Sequence, residues 1–499
     1  MPSAVLNYLN GRSPEKIDTA FLAYLANLTE VAKVSPETAR SIIQELEDQR
    51  SNLKLIASEN YCSLSTQFAM GNLLTDKYAE GFPFHRFYAG CSNVDTIESN
   101  AAAQACKLFG SQHAYVQPHS GADANLIAFW AILNTRVEVP ALEKMGETNP
   151  SKLSQEDWNK LRKELGNQKL LGMDYYSGGH LTHGYRHNVS AQMFDAYSYG
   201  VDKNTGLLDY DALETYATEI KPFILLAGYS AYPRKINFAR MRAIADKVGA
   251  VFMVDMAHFA GLVAGGVFTG DYNPIPFAHV VTTTTHKTLR GPRGGMVLCT
   301  EEFAESVDKG CPLVIGGPLA HVMAAKAIAL TEANTPEFKT YAQTIVKNSA
   351  YLAQACINKG MKVATGGTDN HLFLIDVTPF GLTGRQAESA LRDCGITLNR
   401  NSLPYDINGP WYTSGLRIGT AAVTTLGMKE KEMDTIADIL YTVVSNTKPT
   451  TAASGEQSKA KYTTEEKTAS NAKAMVKGLL DRHAVYPNID LTFLKSSFA

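Results

Sequence analysis

The stretch VVTTTTHKTLRGPRGG, Val280–Gly295, holds the residue best placed for covalent chemistry, Lys287. Two valines running into four β-branched threonines read as a buried strand. The strand stops at His286-Lys287, where a loop rich in glycine and proline carries Arg290 and Arg293. Guanidinium groups beside an ammonium lower its pKa and leave more free amine to attack a carbonyl. Lys287 is therefore a candidate Schiff-base former, with His286 beside it. The competing reading is a basic loop that faces a phosphate or carboxylate without covalent chemistry.

Further groups could serve the same chemistry. Asp255 closes the apolar run AVFMVD, and Ser230 ends FILLAGYS. Polar residues appended to buried parallel strands mark the carboxyl edge of an α/β sheet, where ligands bind. A carboxylate at the end of so apolar a strand needs a partner; a cationic ligand nitrogen, a structural arginine or a helix cap would each serve. His258 follows three residues later. Ser120-Gly121-Ala122 precedes a helical run, and free amides at a helix start make a phosphate cradle. His180 and His183 stand between glycines in GGHLTHG; no third ligand lies near them in sequence, so no metal site is expected. The loop LTDKYAEGFPFHRFYAG gathers Tyr78, Glu80, Arg86, Phe87 and Tyr88 between glycines, the texture of loops that carry sites. One cofactor would use these groups jointly. Pyridoxal 5′-phosphate needs a lysine for its aldehyde, a carboxylate for its ring nitrogen, an imidazole or aromatic face and a phosphate cradle. Lys287, Asp255, His180 and Ser120–Ala122 supply all four.

The elements that must position them alternate between strand and helix. Residues 1–87 read as a helical arm and substrate loop, the arm too small to fold alone. Residues 88–330 read as the large domain, with a charged, solvent-facing insertion at about 136–170. Residues 331–499 read as a smaller α/β domain containing a mobile linker at about 448–466, low in complexity. The 499 residues carry a formal charge of −2, which gives no field for nucleic acid or an acidic membrane. No apolar run reaches membrane-spanning length. Seven scattered cysteines without a C-x-x-C pair fit free thiols, so a cytoplasmic location is expected. The absence of G-x-G-x-x-G after a strand argues against a nicotinamide dehydrogenase.

The strings QPHSGADAN, GGHLTHG, SAYP, VDMAHFAGLVA, VVTTTTHKTLRGPRGG, GGTDNHLFL and TSGLRIGT, in that order, resemble the motifs of the serine hydroxymethyltransferases. The resemblance runs from about Leu55 to about Thr442. It implies the α/β fold of the fold-type I, aspartate aminotransferase-like, PLP-dependent transferases, with a mostly parallel seven-stranded sheet. It also implies reversible transfer of the L-serine hydroxymethyl carbon to tetrahydrofolate, giving glycine and 5,10-methylenetetrahydrofolate, in a homodimer or larger homo-oligomer.

By the same resemblance Lys287 carries the cofactor, Asp255 pairs with its ring nitrogen and His180 stacks on the ring. Ser120, Gly121 and Ala122 hold the phosphate, joined by Gly316 and Gly317 of the neighbouring subunit. Ser230 and His258 lie beside the ring hydroxyl. Arg417 and Ser58 clamp the substrate carboxylate. Tyr78 and Glu80 cross to the partner's substrate, Glu80 as proton shuttle, and Tyr88 stands near Cα. Gly179, Leu181 and Asn401 match folate-contacting positions. The sequence departs from the family pattern at Phe87, where a tyrosine is usual, at Ile315, where a glutamine is usual, and at Tyr175, where an aliphatic residue is usual. These departures keep two alternatives in view: a folate-independent PLP aldolase or racemase, and a catalytically idle PLP-fold protein acting as a binding module.

Overall fold

A computed structural model describes residues 4–451 and 455–498. Its centre is a seven-stranded sheet. From one edge to the other the strands are His113–Tyr115, Gly295–Cys299, Val280–Thr284, Val251–Asp255, Ile224–Gly228, Lys169–Met173 and Asp195–Tyr199. Only Gly295–Cys299 runs antiparallel to its neighbours. This is the expected mostly parallel arrangement. Ile224–Gly228, Val251–Asp255 and Val280–Thr284 are buried along their whole length, which explains why they read as unbroken apolar or β-branched runs rather than alternating ones. Apolar cores cover both faces of the sheet.

A four-stranded antiparallel sheet, ordered Lys362–Val363, Leu372–Asp376, Gly415–Gly419, Asn399–Asn401, forms the smaller unit with its own core. The helix Pro336–Asn358 bridges the two. Phe338, Tyr341, Ala342 and Ile345 belong to the large core, and Leu352, Ala353 and Cys356 to the small one.

The N-terminal arm packs on its own chain. Phe21, Leu25, Ile43 and Leu46 of the helices Thr19–Val34 and Pro36–Ser51 share a core with Val485, Ile489 and Leu494 near the C-terminus. The Arg50 guanidinium ties the two ends together by donating to the carbonyls of Val485, Tyr486 and Ile489. Leu53–Lys54 then pairs parallel with Ile396–Thr397, so the arm enters the small unit's core before reaching the loop that carries Tyr78 and Glu80.

Two sequence expectations change. The expected insertion at 136–170 does contain an amphipathic helix, Gln155–Gly166, but its last residues begin the buried central strand Lys169–Met173. The stretch expected as a mobile linker pairs Thr447–Thr451 with Gln457–Thr464 as an antiparallel hairpin, residues 452–454 lying outside those described. Gln386 Nε2 donates to the carbonyls of Ser458 and Lys461, and Thr383 Oγ1 to that of Lys459. Polar composition disguised a strand whose backbone is held by buried side chains of the neighbouring helix.

Candidate active site

The carboxyl ends of the central strands open into a cavity of about 350 Å³ lined by Ser58, Ser120, Gly121, Ala122, His180, Tyr229, Ser230, Asp255, Ala257, His258, Thr284, His286, Lys287, Arg293 and Arg417. Ten of the sequence candidates therefore share one space: Ser58, Ser120, Gly121, Ala122, His180, Ser230, Asp255, His258, His286 and Lys287, with Arg417 closing it from the small unit.

Lys287 sits where the strand Val280–Thr284 has given way to its loop. Asn60 Nδ2 donates to its carbonyl at 2.9 Å and to the Tyr341 hydroxyl at 2.6 Å, which fixes the backbone that carries the amine. Removal from water pushes the Lys287 pKa down, to about 8; Asp255 opposes the shift, and Arg417 and Arg293 reinforce it. The lowered pKa expected from the sequence is present, but Arg290 is not among its causes. Arg290 adopts φ 61° and its guanidinium lies over the Tyr341 ring at 4.4 Å, turned to another neighbour.

Asp255 has a buried partner set that the sequence did not reveal. Its Oδ2 accepts from Asn125 Nδ2 at 2.9 Å and from His183 Nε2 at 3.3 Å, and its Oδ1 accepts from the Ala257 amide at 3.0 Å. Burial alone would raise this carboxyl's pKa, but the hydrogen bond and charge of His183, helped by His180 and Asn125, hold it below the usual carboxylate range. Asn125 also donates to Thr182 Oγ1 at 2.7 Å and accepts from Thr282 Oγ1 at 2.5 Å. With the Asn125 amide on its lone pair, the Thr182 hydroxyl is free to donate to His180 Nδ1 at 2.7 Å, and the Thr182 amide donates to the same nitrogen. His180 Nδ1 is thus an acceptor. The His180 amide donates to His183 Nδ1, which places the His183 proton on Nε2, facing Asp255. The ligand atoms of His180, His183 and Asp255 lie within 4.8 Å of one another, and these hydrogen bonds account for their approach.

His180, His258 and His286 are held neutral. Burial pushes His180 down to about 4 and His286 to about 3, and His258 well below its ordinary value, with Lys287 and Arg417 adding to the His258 shift. His258 Nδ1 meets His371 Nε2 at 3.2 Å. Arg417 donates to the Ser230 carbonyl at 2.7 Å and to Asn399 Oδ1 at 3.0 Å, and has no carboxylate partner among the described residues. A half-buried guanidinium without a counter-ion, facing a cavity, suits a carboxylate ligand.

Pyridoxal 5′-phosphate fits these residues. The helix Gly121–Leu133 starts at the cavity with Ser120 as its cap, and a Cβ on Gly121 would meet Thr284 Cγ2 at 2.7 Å, so only glycine leaves these amides bare and this close to the sheet. Two buried imidazole nitrogens, His286 Nδ1 in the cavity lining and His119 Nε2 next to Ser120 in sequence, have no hydrogen-bond partner among the described residues.

The remaining candidates do not line this cavity. Tyr78, Glu80 and Tyr88 form a separate group: the Tyr78 hydroxyl donates to Glu80 Oε1 at 3.2 Å, and the Tyr78 and Tyr88 rings meet edge-on at 5.1 Å. Gly317 stands against the Tyr78 ring, with Gly316 next to it accepting from Cys311 Sγ. Gly179 is packed against the Met173 carbonyl, Leu181 is 40% exposed, and Asn401 donates to the Ser402 carbonyl. Next to Asn401 and Tyr175, a second cavity of about 520 Å³ is lined by Asp174, Tyr176, Ser177, Ser402, Tyr405 and Asp406 among others; it holds no lysine or histidine.

Asn125, Thr182 and Thr282 went unread in the sequence because they are 57 to 157 residues apart and meet only in the fold. The one available signal is an asparagine one turn beyond Gly121 on a helix apolar but for Asp123.

A model of the family described as serine hydroxymethyltransferase matches residues 31–148 and 158–440. Among similar proteins, the serine hydroxymethyltransferase of Treponema pallidum is 62% identical over 99% of this chain and 86% of its own length. That of Salinispora tropica is 58% identical over 94% and 98%. That of Chlamydia trachomatis serovar D is 49% identical over 99% of this chain and all of its own.

Proposed function

The chain belongs to the serine hydroxymethyltransferase family, and from that premise we propose how its own residues divide the reaction. The activity is the reversible transfer of the serine hydroxymethyl carbon to tetrahydrofolate, giving glycine and 5,10-methylenetetrahydrofolate, with pyridoxal 5′-phosphate as cofactor. The observation that carries the assignment of roles is the convergence of Lys287, Asp255, His180, Arg417 and the Ser120 helix start on one cavity.

Lys287 provides the amine that takes the cofactor aldehyde, with its pKa low enough for a free-amine fraction near neutral pH. Asp255, kept ionised by His183 and Asn125, holds a proton at the ring nitrogen. Neutral His180 covers the ring face, its orientation set by Thr182. Ser120, Gly121 and Ala122 bind the phosphate. Ser230 and His258 stand by the ring hydroxyl, and His286 supports the lysine. Arg417 and Ser58 bind the amino-acid carboxylate and so orient the bond to be broken at Cα. When bound, the cofactor supplies an electron sink for that bond.

The carbon-transfer half uses the outlying groups. Glu80, beside Tyr78, moves the proton at the substrate hydroxyl. Tyr78, Glu80 and Tyr88, with Gly316 and Gly317, act in the site of a second copy of the chain. Gly179, Leu181 and Asn401 contact tetrahydrofolate, with Tyr175 shaping the same side. Domain limits near 87 and 330, and a cytoplasmic location, are part of this reading; the seven cysteines, all free, support the location. No helix among the described residues is long and apolar enough to cross a membrane.

Exchange of the glycine α-proton, measured with and without tetrahydrofolate, tests the roles. Stimulation by tetrahydrofolate that disappears in Glu80→Gln is expected. Equal rates with and without it would instead favour a folate-independent aldolase or racemase.

A further inference from the structure

One buried cation is not used by the reaction as described. The helix Ala320–Ala333 is apolar along most of its length, and Lys326 in its middle is 1% exposed. Its Nζ donates to three main-chain carbonyls: Val116 at 2.6 Å, Pro118 at 2.9 Å and Gly295 at 2.8 Å. An ammonium has three N–H groups and here has three acceptors. No carboxylate lies within ion-pair distance of it among the described residues; the nearby acid Glu98 is bonded to Arg86 and Gln117.

The three acceptors come from two segments that meet at the candidate site. Val116 to Pro118 leads from the edge strand directly into Ser120-Gly121-Ala122. Gly295 ends the loop that begins at Lys287. Gly295 has its own bond to the first segment, its amide donating to the Pro118 carbonyl at 2.9 Å. The approach is close enough that a Cβ on Gly294 would meet Lys326 Cε at 2.5 Å. Burial pushes the Lys326 pKa down, to about 7, with Glu98 and Asp123 opposing the shift. Taking the proton away would remove one of the three bonds that join the two segments.

We propose that Lys326 is a positioning residue for the phosphate cradle: its ammonium clamps Val116–Pro118 to Gly295 and so fixes the direction of the amides at Ser120–Ala122. It holds the cradle from behind and contributes a positive charge on the same side. A dianion bound near Ser120 is the complement that this cation lacks. The inference rests on the reading of Ser120–Ala122 as the phosphate site.

The test compares pyridoxal 5′-phosphate with pyridoxal, which presents the same aldehyde without the phosphate. Both are titrated by absorbance into cofactor-free wild-type protein and Lys326→Met. In the variant the Kd for pyridoxal 5′-phosphate rises about tenfold or more, and that for pyridoxal changes less than about twofold. An equal rise for both ligands marks Lys326 as a general packing residue and overturns the proposal, as does no rise for either. If Lys326→Met does not fold, Gly294→Ala decides, because its Cβ presses the lysine off its acceptors: the same selective loss is expected, and an unchanged ratio contradicts the proposal. Wild-type protein that binds both ligands equally would remove the phosphate reading of Ser120–Ala122 instead.

Discussion

The cavity around Lys287 and the loop around Glu80 are built in opposite ways. In the first, Asp255, Asn125, Thr182, Thr282 and His183 are buried and joined by hydrogen bonds that set each donor and acceptor. In the second, the backbone is anchored but the reactive side chains are open. Arg86 pins the loop by ion pairs to Asp95 and Glu98 and by bonds to the carbonyls of Ala79 and Gly81. Yet Tyr78 is 56% exposed and Phe87 70% exposed. One chain gathers the first set of groups in a buried, hydrogen-bonded cavity and presents the second outward on an anchored backbone.

The largest effect that would sharpen this contrast is at Lys287. Lys287→Ala should lower transfer activity by on the order of 10⁴-fold, together with loss of the visible cofactor band. Glu80→Gln should lower it by about 10²- to 10³-fold while leaving cofactor retention unchanged, because Glu80 does not line the cavity. A Glu80→Gln protein that releases cofactor would break the distinction between the two regions. Arg417→Ala should raise KM for both serine and glycine about 10- to 100-fold, the loss of a charge-assisted pair; an effect on tetrahydrofolate alone would move Arg417 to the other half.

Two smaller effects come from titration. Capture of pyridoxal by the cofactor-free protein should quicken as pH rises and level off above about 8, the pKa of Lys287. An ordinary lysine would still be gaining at about pH 10. The neutral histidines of the cavity, with His371 behind His258, give the last. Their folded pKa values lie below the unfolded value, with His180 at about 4 and His286 and His371 at about 3. The unfolded chain therefore binds more protons below about pH 6.5. Stability is fully present above that pH and is lost as pH falls from about 6.5 towards 4, read as a falling urea midpoint. A flat midpoint across that window would mean that the histidines are hydrated.

Much of the first region was legible in the sequence. Asp255 and Lys287 follow strands so apolar or β-branched that a charged residue at the end needs a reason, and Ser120-Gly121 stands at a helix start. What joins them was not legible, since Asn125 reaches Thr182 and Thr282 only through the sheet. Arg290 was misassigned because its positive φ, invisible in sequence, turns it onto Tyr341. Lys326 had a readable signal, a lone lysine in an apolar helix, whose meaning needed the three carbonyls. The strand Asp195–Tyr199 escaped notice as an edge strand with exposed and half-buried positions, and Lys169–Met173 because a charged helix runs into it.

The division of the site between two copies is tested most directly by mixing two inactive variants, Lys287→Ala and Glu80→Gln, under conditions that exchange subunits. If Glu80 serves the partner's cavity, each mixed dimer has one site with both Lys287 and Glu80, and activity returns. If Glu80 serves its own chain, every site lacks one of the two, and a mixture shown by native mass spectrometry to contain mixed dimers stays inactive.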